Sequence, residues 1–190
     1  DVKTREITGL GKDEYDKLKS NGYTSSMDIV KGLYSDRDVS IKTTKGRKVD
    51  CGDILRRRSE TEYDIIIGVW DQVGGRKIFH TEYTFHIKPE HETLLWGKMS
   101  YEKLREFNEY IKSIPEGRTA QQDTKVERQV LKTITEDADA QMKIHPKVDS
   151  KKQRRVQCSF NIDRLIKAGV EYEAKPIRLT IDSKSRTFNK

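Results

Sequence analysis

Cysteine and proline are scarce in this chain, at two and four of 190 residues, and their scarcity excludes several architectures. Cys51 and Cys158 alone cannot build a disulfide framework or a thiolate zinc centre. They read as buried or half-buried thiols of a protein kept in a reducing, cytoplasmic setting. No segment is repeated or of low complexity. No apolar run approaches the roughly 18 residues that a membrane helix needs, and there is no signal-peptide or lipidation pattern, so no membrane partner is expected. The sequence opens on Asp1 rather than methionine, so an N-terminal piece is expected to have been removed or left outside this numbering.

Charge is what the chain has in abundance. Lys and Arg number 38 against 31 Asp and Glu, giving a formal charge of +7. That balance favours a polyanionic partner, with nucleic acid ahead of a lipid surface. The aromatic-rich strand of single-stranded RNA readers is absent, so duplex DNA is the expected form. At 190 residues the chain is long enough to bury one sizeable core, and a single domain over 1–190 is expected.

The stretch from Met27 to Thr44 organises the reading. Apolar residues alternate over Met27–Leu33 and again over Asp38–Thr44, with polar Tyr34-Ser35-Asp36-Arg37 between them, which predicts a hairpin. A turn centred on Ser35 sets Asp28 opposite Lys42 and puts Asp28, Asp38, Ser40 and Lys42 on one side. A cross-strand Asp–Lys pair by itself contributes only about 0.2–1 kcal/mol and needs no function.

Asp28, followed after eleven residues by Ser40-Ile41-Lys42, resembles the bipartite motif of the PD-(D/E)xK nuclease superfamily, which includes most type II restriction endonucleases. Ile41-Lys42-Thr43-Thr44 is similar to its lysine-bearing strand. Met27 stands where a proline often precedes the aspartate, and Ser40 stands where a second acid is usual.

The resemblance implies an α/β (α+β) fold in which a mixed central sheet is flanked by helices. A nuclease-like core would run from about residue 10 to 115, and a helical, basic DNA-contacting portion from 116 to 190. It further implies a catalytic set of Asp28, Ser40 and Lys42, with Asp28 holding Mg²⁺. The missing carboxylate would come from Asp38, as a second metal ligand, or from Glu14 on a helix expected over Lys12–Ser20. Asp53, Glu60 and Glu62 remain open for the same role.

Two basic stretches are candidate DNA contacts. The first holds Lys45, Arg47, Lys48, Arg56, Arg57 and Arg58, directly after the lysine strand. The second reads as a basic loop from Lys143 through Lys151, Lys152, Gln153, Arg154 and Arg155. It feeds a strand whose Val156, Cys158, Phe160 and Ile162 face one way and whose Gln157, Ser159 and Asn161 face the other. Arginine suits guanine edges, and glutamine or asparagine suits adenine.

The rest is scaffold. Tyr63–Trp70 is a nearly continuous apolar run, as in a strand buried on both faces, and Gly74-Gly75 turns it into a second strand over Lys77–Ile87. Period two would put His80, Glu82 and His86 on one face, without the third histidine that zinc favours. A helix is predicted over Tyr101–Ile114. A longer one over Ala120–Met142 carries Val126, Val130 and Ile134 as an apolar stripe, read as core ahead of a homodimer contact. A short helix near Leu165, a strand over Ile177–Ile181 and a basic tail complete the chain. The alternative to an endonuclease is a non-catalytic basic DNA-binding module, in which Asp28 and Lys42 form only a salt bridge.

Overall fold

The computed structural model describes residues 2–20, 28–29, 31–32, 35–53, 61–115, 124–137, 139–148 and 153–182. Expectations that fell on Met27, Val30, Leu33, Arg56, Arg57, Arg58, Glu60, Lys151, Lys152 and the basic tail lie outside them. The fold is α+β, with a mixed four-stranded sheet and a three-stranded sheet, each flanked by helices.

The chain divides into two compact units, neither continuous in sequence. One comprises Asp1–Gly46, Thr61–Ile87 and Val170–Lys190; the other comprises Arg47–Glu60 and Lys88–Gly169. The division does not follow the expected boundary near residue 115. Strand pairing sets it instead, because the last strand returns to the first sheet and the segment after Gly46 leaves it.

In the first unit, helices α1 (Val2–Thr8) and α2 (Lys12–Ser20) precede strand β1 (Asp38–Thr44). Strand β3 (Tyr63–Val73) lies between β1 and β4 (Arg76–Ile87), and β7 (Tyr172–Asp182) takes the far edge. The β-branched run Ile65-Ile66-Ile67 makes β3 the centre: all three residues are buried, as a strand covered on both faces requires. Gly74, at φ 56°, supplies the left-handed position of the tight turn into β4. The β1–β3 pairing is parallel, with Ser40 level with Ile65 and Lys42 level with Ile67.

The expected first hairpin is reduced, among the described residues, to one antiparallel bridge between Ile29 and Val39. Its register differs from the expected one by two residues along β1, so Asp28 comes level with Ser40 rather than Lys42. The expected His80, Glu82, His86 face is also corrected. The ladder slips between Phe79 and Thr81, leaving His80 as the bulged residue, exposed beside Asp71, while Glu82 and His86 keep the common face.

Glu82 sits opposite Gly68 and is buried, with Lys3 Nζ and Lys175 Nζ each 3.1 Å from its Oε1. Burial works against the Lys3 ammonium, but hydrogen bonds to Glu82 and Glu6 outweigh it and hold Lys3 above the ordinary lysine range. A raised lysine adds stability that is complete below its unfolded-state value and is lost as pH rises through the folded one. The stability difference between wild type and Lys3→Met should therefore shrink as pH rises above roughly 10, measured by urea unfolding at pH 8 and pH 11. A constant difference across that range would refute a charge contribution from Lys3.

In the second unit, β2 (Lys48–Asp53), β6 (Arg154–Asn161) and β5 (Lys143–Val148) form an antiparallel sheet in the order β2-β6-β5. After a 3₁₀ turn at Pro89–His91 come α3 (Glu92–Trp96), α4 (Tyr101–Lys112) and α5 (Lys125–Asp137); α6 (Ile162–Lys167) follows β6. Leu104, Ile111, Leu131, Val156, Cys158 and Phe160 are buried as its core. Buried Asn108 accepts a 2.8 Å hydrogen bond from Val156 N, tying α4 to β6. Among the described residues no helix is long and apolar enough to cross a membrane.

Two sequence expectations are overturned in this unit. Lys143–Val148 is a strand and not a loop: Ile144, Pro146 and Val148 turn inward, while Lys143, His145 and Lys147 take the other face. In α5 the Val126 and Val130 stripe points outward, at 72% and 41% exposure. Thr124, Glu127 and Leu131 are buried instead, with Tyr110 Oη donating to Glu127 Oε1 at 3.0 Å. The larger Leu131, reinforced by that hydrogen bond, sets the inward face against β5.

Candidate active site

Asp28, Ser40 and Lys42 come together in the first unit. The bridge that fixes Asp28 is made of backbone: Asp28 N and Ile29 N donate to Val39 O at 2.8 and 3.0 Å, and Val39 N returns a bond to Ile29 O. Ile29, Val39 and Ile66 pack as a buried cluster beneath it, with Ile7 and Ile41 at its margin. Asp28 Oδ2 then receives three donors. Ile41 N lies at 2.6 Å, Lys42 Nζ at 3.1 Å and Ser40 Oγ at 3.3 Å. Lys42 Nζ also donates to Ile41 O at 3.1 Å. The Asp28 and Lys42 side chains retain 25% and 20% of their exposure, so solvent and a substrate can reach them, whereas Ser40 is fully buried.

No family model, curated protein or solved structure matches the chain.

The carboxylates expected to complete the site are each engaged or placed elsewhere. Asp38 Oδ1 accepts Lys31 N at 2.8 Å, so this side chain pins the turn in which Gly32 adopts φ 100°. Glu14 is exposed on α2, and its Oε2 accepts Gly11 N at 3.1 Å, capping the start of its own helix. Glu62 belongs to a separate polar cluster, 3.7 Å from Arg37 Nε and 3.6 Å from His86 Nε2. In that cluster His86 Nδ1 lies 2.7 Å from Asp64 Oδ1. Asp53 is in the second unit, at the end of β2.

Among the described residues, no group of three or more His, Cys, Asp and Glu is placed to hold a metal. The oxygen donors around Asp28 still suit Mg²⁺. They are the Asp28 carboxylate and the Ile41 carbonyl, both hard ligands and both accepting from Lys42 Nζ, whereas the Ser40 hydroxyl is fully buried and donates to Asp28. Mg²⁺ commonly binds through one or two carboxylates plus substrate phosphates, keeping several waters.

The candidate DNA contacts separate into two kinds. Arg47 and Arg154 are engaged within the second unit. Arg47 Nε lies 2.9 and 3.0 Å from the two Asp163 oxygens and holds that carboxyl below the ordinary range. The Arg154 guanidinium donates to Ile114 O and Pro115 O, each at 3.1 Å, closing the end of α4. Lys48, Arg155, Gln157 and Asn161 instead share the polar face of the second sheet. Lys45 is exposed just beyond β1, and Gln153 is half-buried ahead of β6.

Sequence reasoning missed the β5 contribution to that face. Lys143 lies level with Ser159, His145 with Gln157 and Lys147 with Arg155. Burial first, and the nearby Lys48 ammonium next, push His145 below the ordinary histidine range. The signal was present as the alternation of Ile144, Pro146 and Val148 with Lys143, His145 and Lys147, but the lysines and the proline disguised it as a loop.

Proposed function

We propose that this chain is a Mg²⁺-dependent endonuclease that hydrolyses phosphodiester bonds of duplex DNA, sequence-specifically in the manner of type II restriction enzymes. The observation that supports it is the convergence of the Ser40 hydroxyl, the Ile41 amide and the Lys42 ammonium on one oxygen of Asp28. Three different donors on a half-exposed carboxylate fix it far more closely than a surface ion pair is fixed.

Asp28 would hold the metal, assisted by the Ile41 carbonyl. Bound Mg²⁺ supplies Lewis-acid polarisation of a phosphoryl oxygen and makes water a better nucleophile. Lys42 contributes a positive charge within hydrogen-bond reach of the same centre, to orient the attacking water and offset charge developing on the phosphoryl oxygens. Ser40, buried behind Asp28, positions the carboxylate and takes no part in the chemistry.

A second reading, a DNA-binding module without catalysis, draws on the same geometry. Lys42 lies against Asp28 as an ion pair, and the described carboxylates apart from Asp28 are placed elsewhere. The two readings part in one experiment, digestion of plasmid and genomic DNA with Mg²⁺, with EDTA and with Lys42→Ala. Endonuclease action gives discrete metal-dependent fragments, with the rate falling by about 10²–10³-fold in the variant. Absence of cutting with salt-sensitive binding intact would leave the module reading.

A further inference from the structure

The second unit holds a small cationic pocket that neither the motif nor the proposed chemistry uses. It encloses about 210 Å³ and is lined by Lys48 of β2, Lys143 of β5, Arg164 of α6, and the polar side chains of Gln141, Ser159 and Asn161. These residues are far apart in sequence. The sheet brings them together because Lys48 pairs with Asn161, and Lys143 pairs with Ser159 two positions away on β6.

The lining has three cations and no carboxylate. Lys48 Nζ lies 3.8 Å from Oδ1 of Asp50, itself exposed. Among the described residues Lys143 and Arg164 have no acidic partner, in contrast to Arg47, which Asp163 occupies. Asn161 Oδ1 accepts Arg164 N at 3.2 Å, which leaves the amide NH₂ of Asn161 to donate. The cationic surface continues past Arg164, since a neighbouring shallow pocket shares Gln141 and Arg164 and adds Lys167.

The volume is smaller than the roughly 300–1,000 Å³ of sites that enclose organic ligands, and it matches a single phosphate with part of its sugar. Lys143 and Arg164, which have no acidic partner among the described residues, stand beside Lys48 on elements placed by β6, and such a cluster of donors recognises phosphate rather than base edges.

We propose that the pocket bounded by Lys48, Lys143 and Arg164 is a phosphate-binding site that grips the backbone of duplex DNA, without regard to sequence, and sets the register of the second unit on it. This rests on the DNA reading above but not on cleavage, so it is tested where no cleavage occurs. The full chain, in EDTA, is titrated onto labelled duplexes of two unrelated sequences from 0.05 to 0.3 M salt. The variants are Lys143→Ala, Arg164→Ala and the pair together. Both side chains are exposed, so folding should be unaffected. Lys98→Ala, an exposed cation outside the pocket, controls for net charge.

Each pocket substitution should lower the slope of log K against log salt by about 0.9 and weaken binding about fivefold at 0.15 M salt, equally on both sequences. Lys98→Ala should do neither. Unchanged slopes in the double variant, the same loss in Lys98→Ala, or no DNA binding by wild type would each overturn the proposal. In a further arm inorganic phosphate is the probe. If it raises the melting temperature of wild type but not of the double variant while DNA binding is unaltered, the pocket serves a free phosphate and the DNA assignment falls. Cutting lost in Lys42→Ala with pocket slopes unchanged would leave the endonuclease and remove this site, whereas no cutting by wild type with the pocket slopes lowered would remove the endonuclease and leave this site.

Discussion

Asp28→Asn should fold and bind DNA in EDTA as wild type does, yet cut at least about a thousandfold more slowly in Mg²⁺. The expected size follows from the work assigned to the carboxylate. Lewis-acid stabilisation of a phosphoryl transition state is worth several kcal/mol, and about 1.4 kcal/mol corresponds to each factor of ten. The substitution is nearly isosteric, and the asparagine oxygen can still accept the Ile41 amide that lies 2.6 Å from Asp28 Oδ2. What it removes is the negative charge that holds Mg²⁺ and partners Lys42. The cost in stability should stay at about 1.5–3 kcal/mol, the range for hydrogen bonds to charged groups. The bridge between Ile29 and Val39 is made of backbone and does not depend on the side chain. Single-turnover cleavage and urea unfolding, measured on the same preparation, separate the two effects. Cutting within tenfold of wild type would remove Asp28 from the chemistry.

The elements legible in the sequence were those written by unambiguous periodicity. Asp38–Thr44 was found to the residue, and the strands around Gly74-Gly75 were found because a β-branched run and a two-glycine turn carry their own signal. The Asp28 constellation was legible for a different reason. Asp28 and Lys42 meet although the register differs from the expected one, because the lysine is long enough to reach along the strand.

What the sequence hid was mostly the choice of partner. β1 and β3 run parallel, and nothing local to either strand announces that. Residue size misled the reading of α5, where Val126 and Val130 form a tidy stripe but one leucine with a hydrogen-bonded glutamate directs the opposite face inward. The His80 bulge and the two-residue register difference are single-position events that a strict period of two cannot express.

The burial of Ser40 bears on why a serine and not an acid stands beside Asp28, and it leads to the second large effect. Ser40 is fully buried, with Oγ 3.3 Å from Asp28 Oδ2, so an acid there would place a second carboxylate against the first with no water around it. Ser40→Asp should therefore be destabilised by about 3–5 kcal/mol at pH 8 without metal, the scale of an uncompensated buried charge. Ser40→Asn, equal in size but neutral, should lose only the roughly 1–3 kcal/mol of overpacking. The sign with pH is fixed. Burial and the Asp28 charge raise the folded-state pKa of the new acid above its unfolded value, so the charge penalty is absent below about pH 4 and grows as pH rises. The gap between Ser40→Asp and Ser40→Asn should accordingly widen from pH 4 to pH 8. Millimolar Mg²⁺ should narrow it at pH 8, because a cation shared by two carboxylates offsets their repulsion, and Asp28→Asn combined with Ser40→Asp should lose that response. Equal melting temperatures for the two variants at pH 8 in EDTA would mean that position 40 tolerates a charge, and the burial of Ser40 could not then account for the serine.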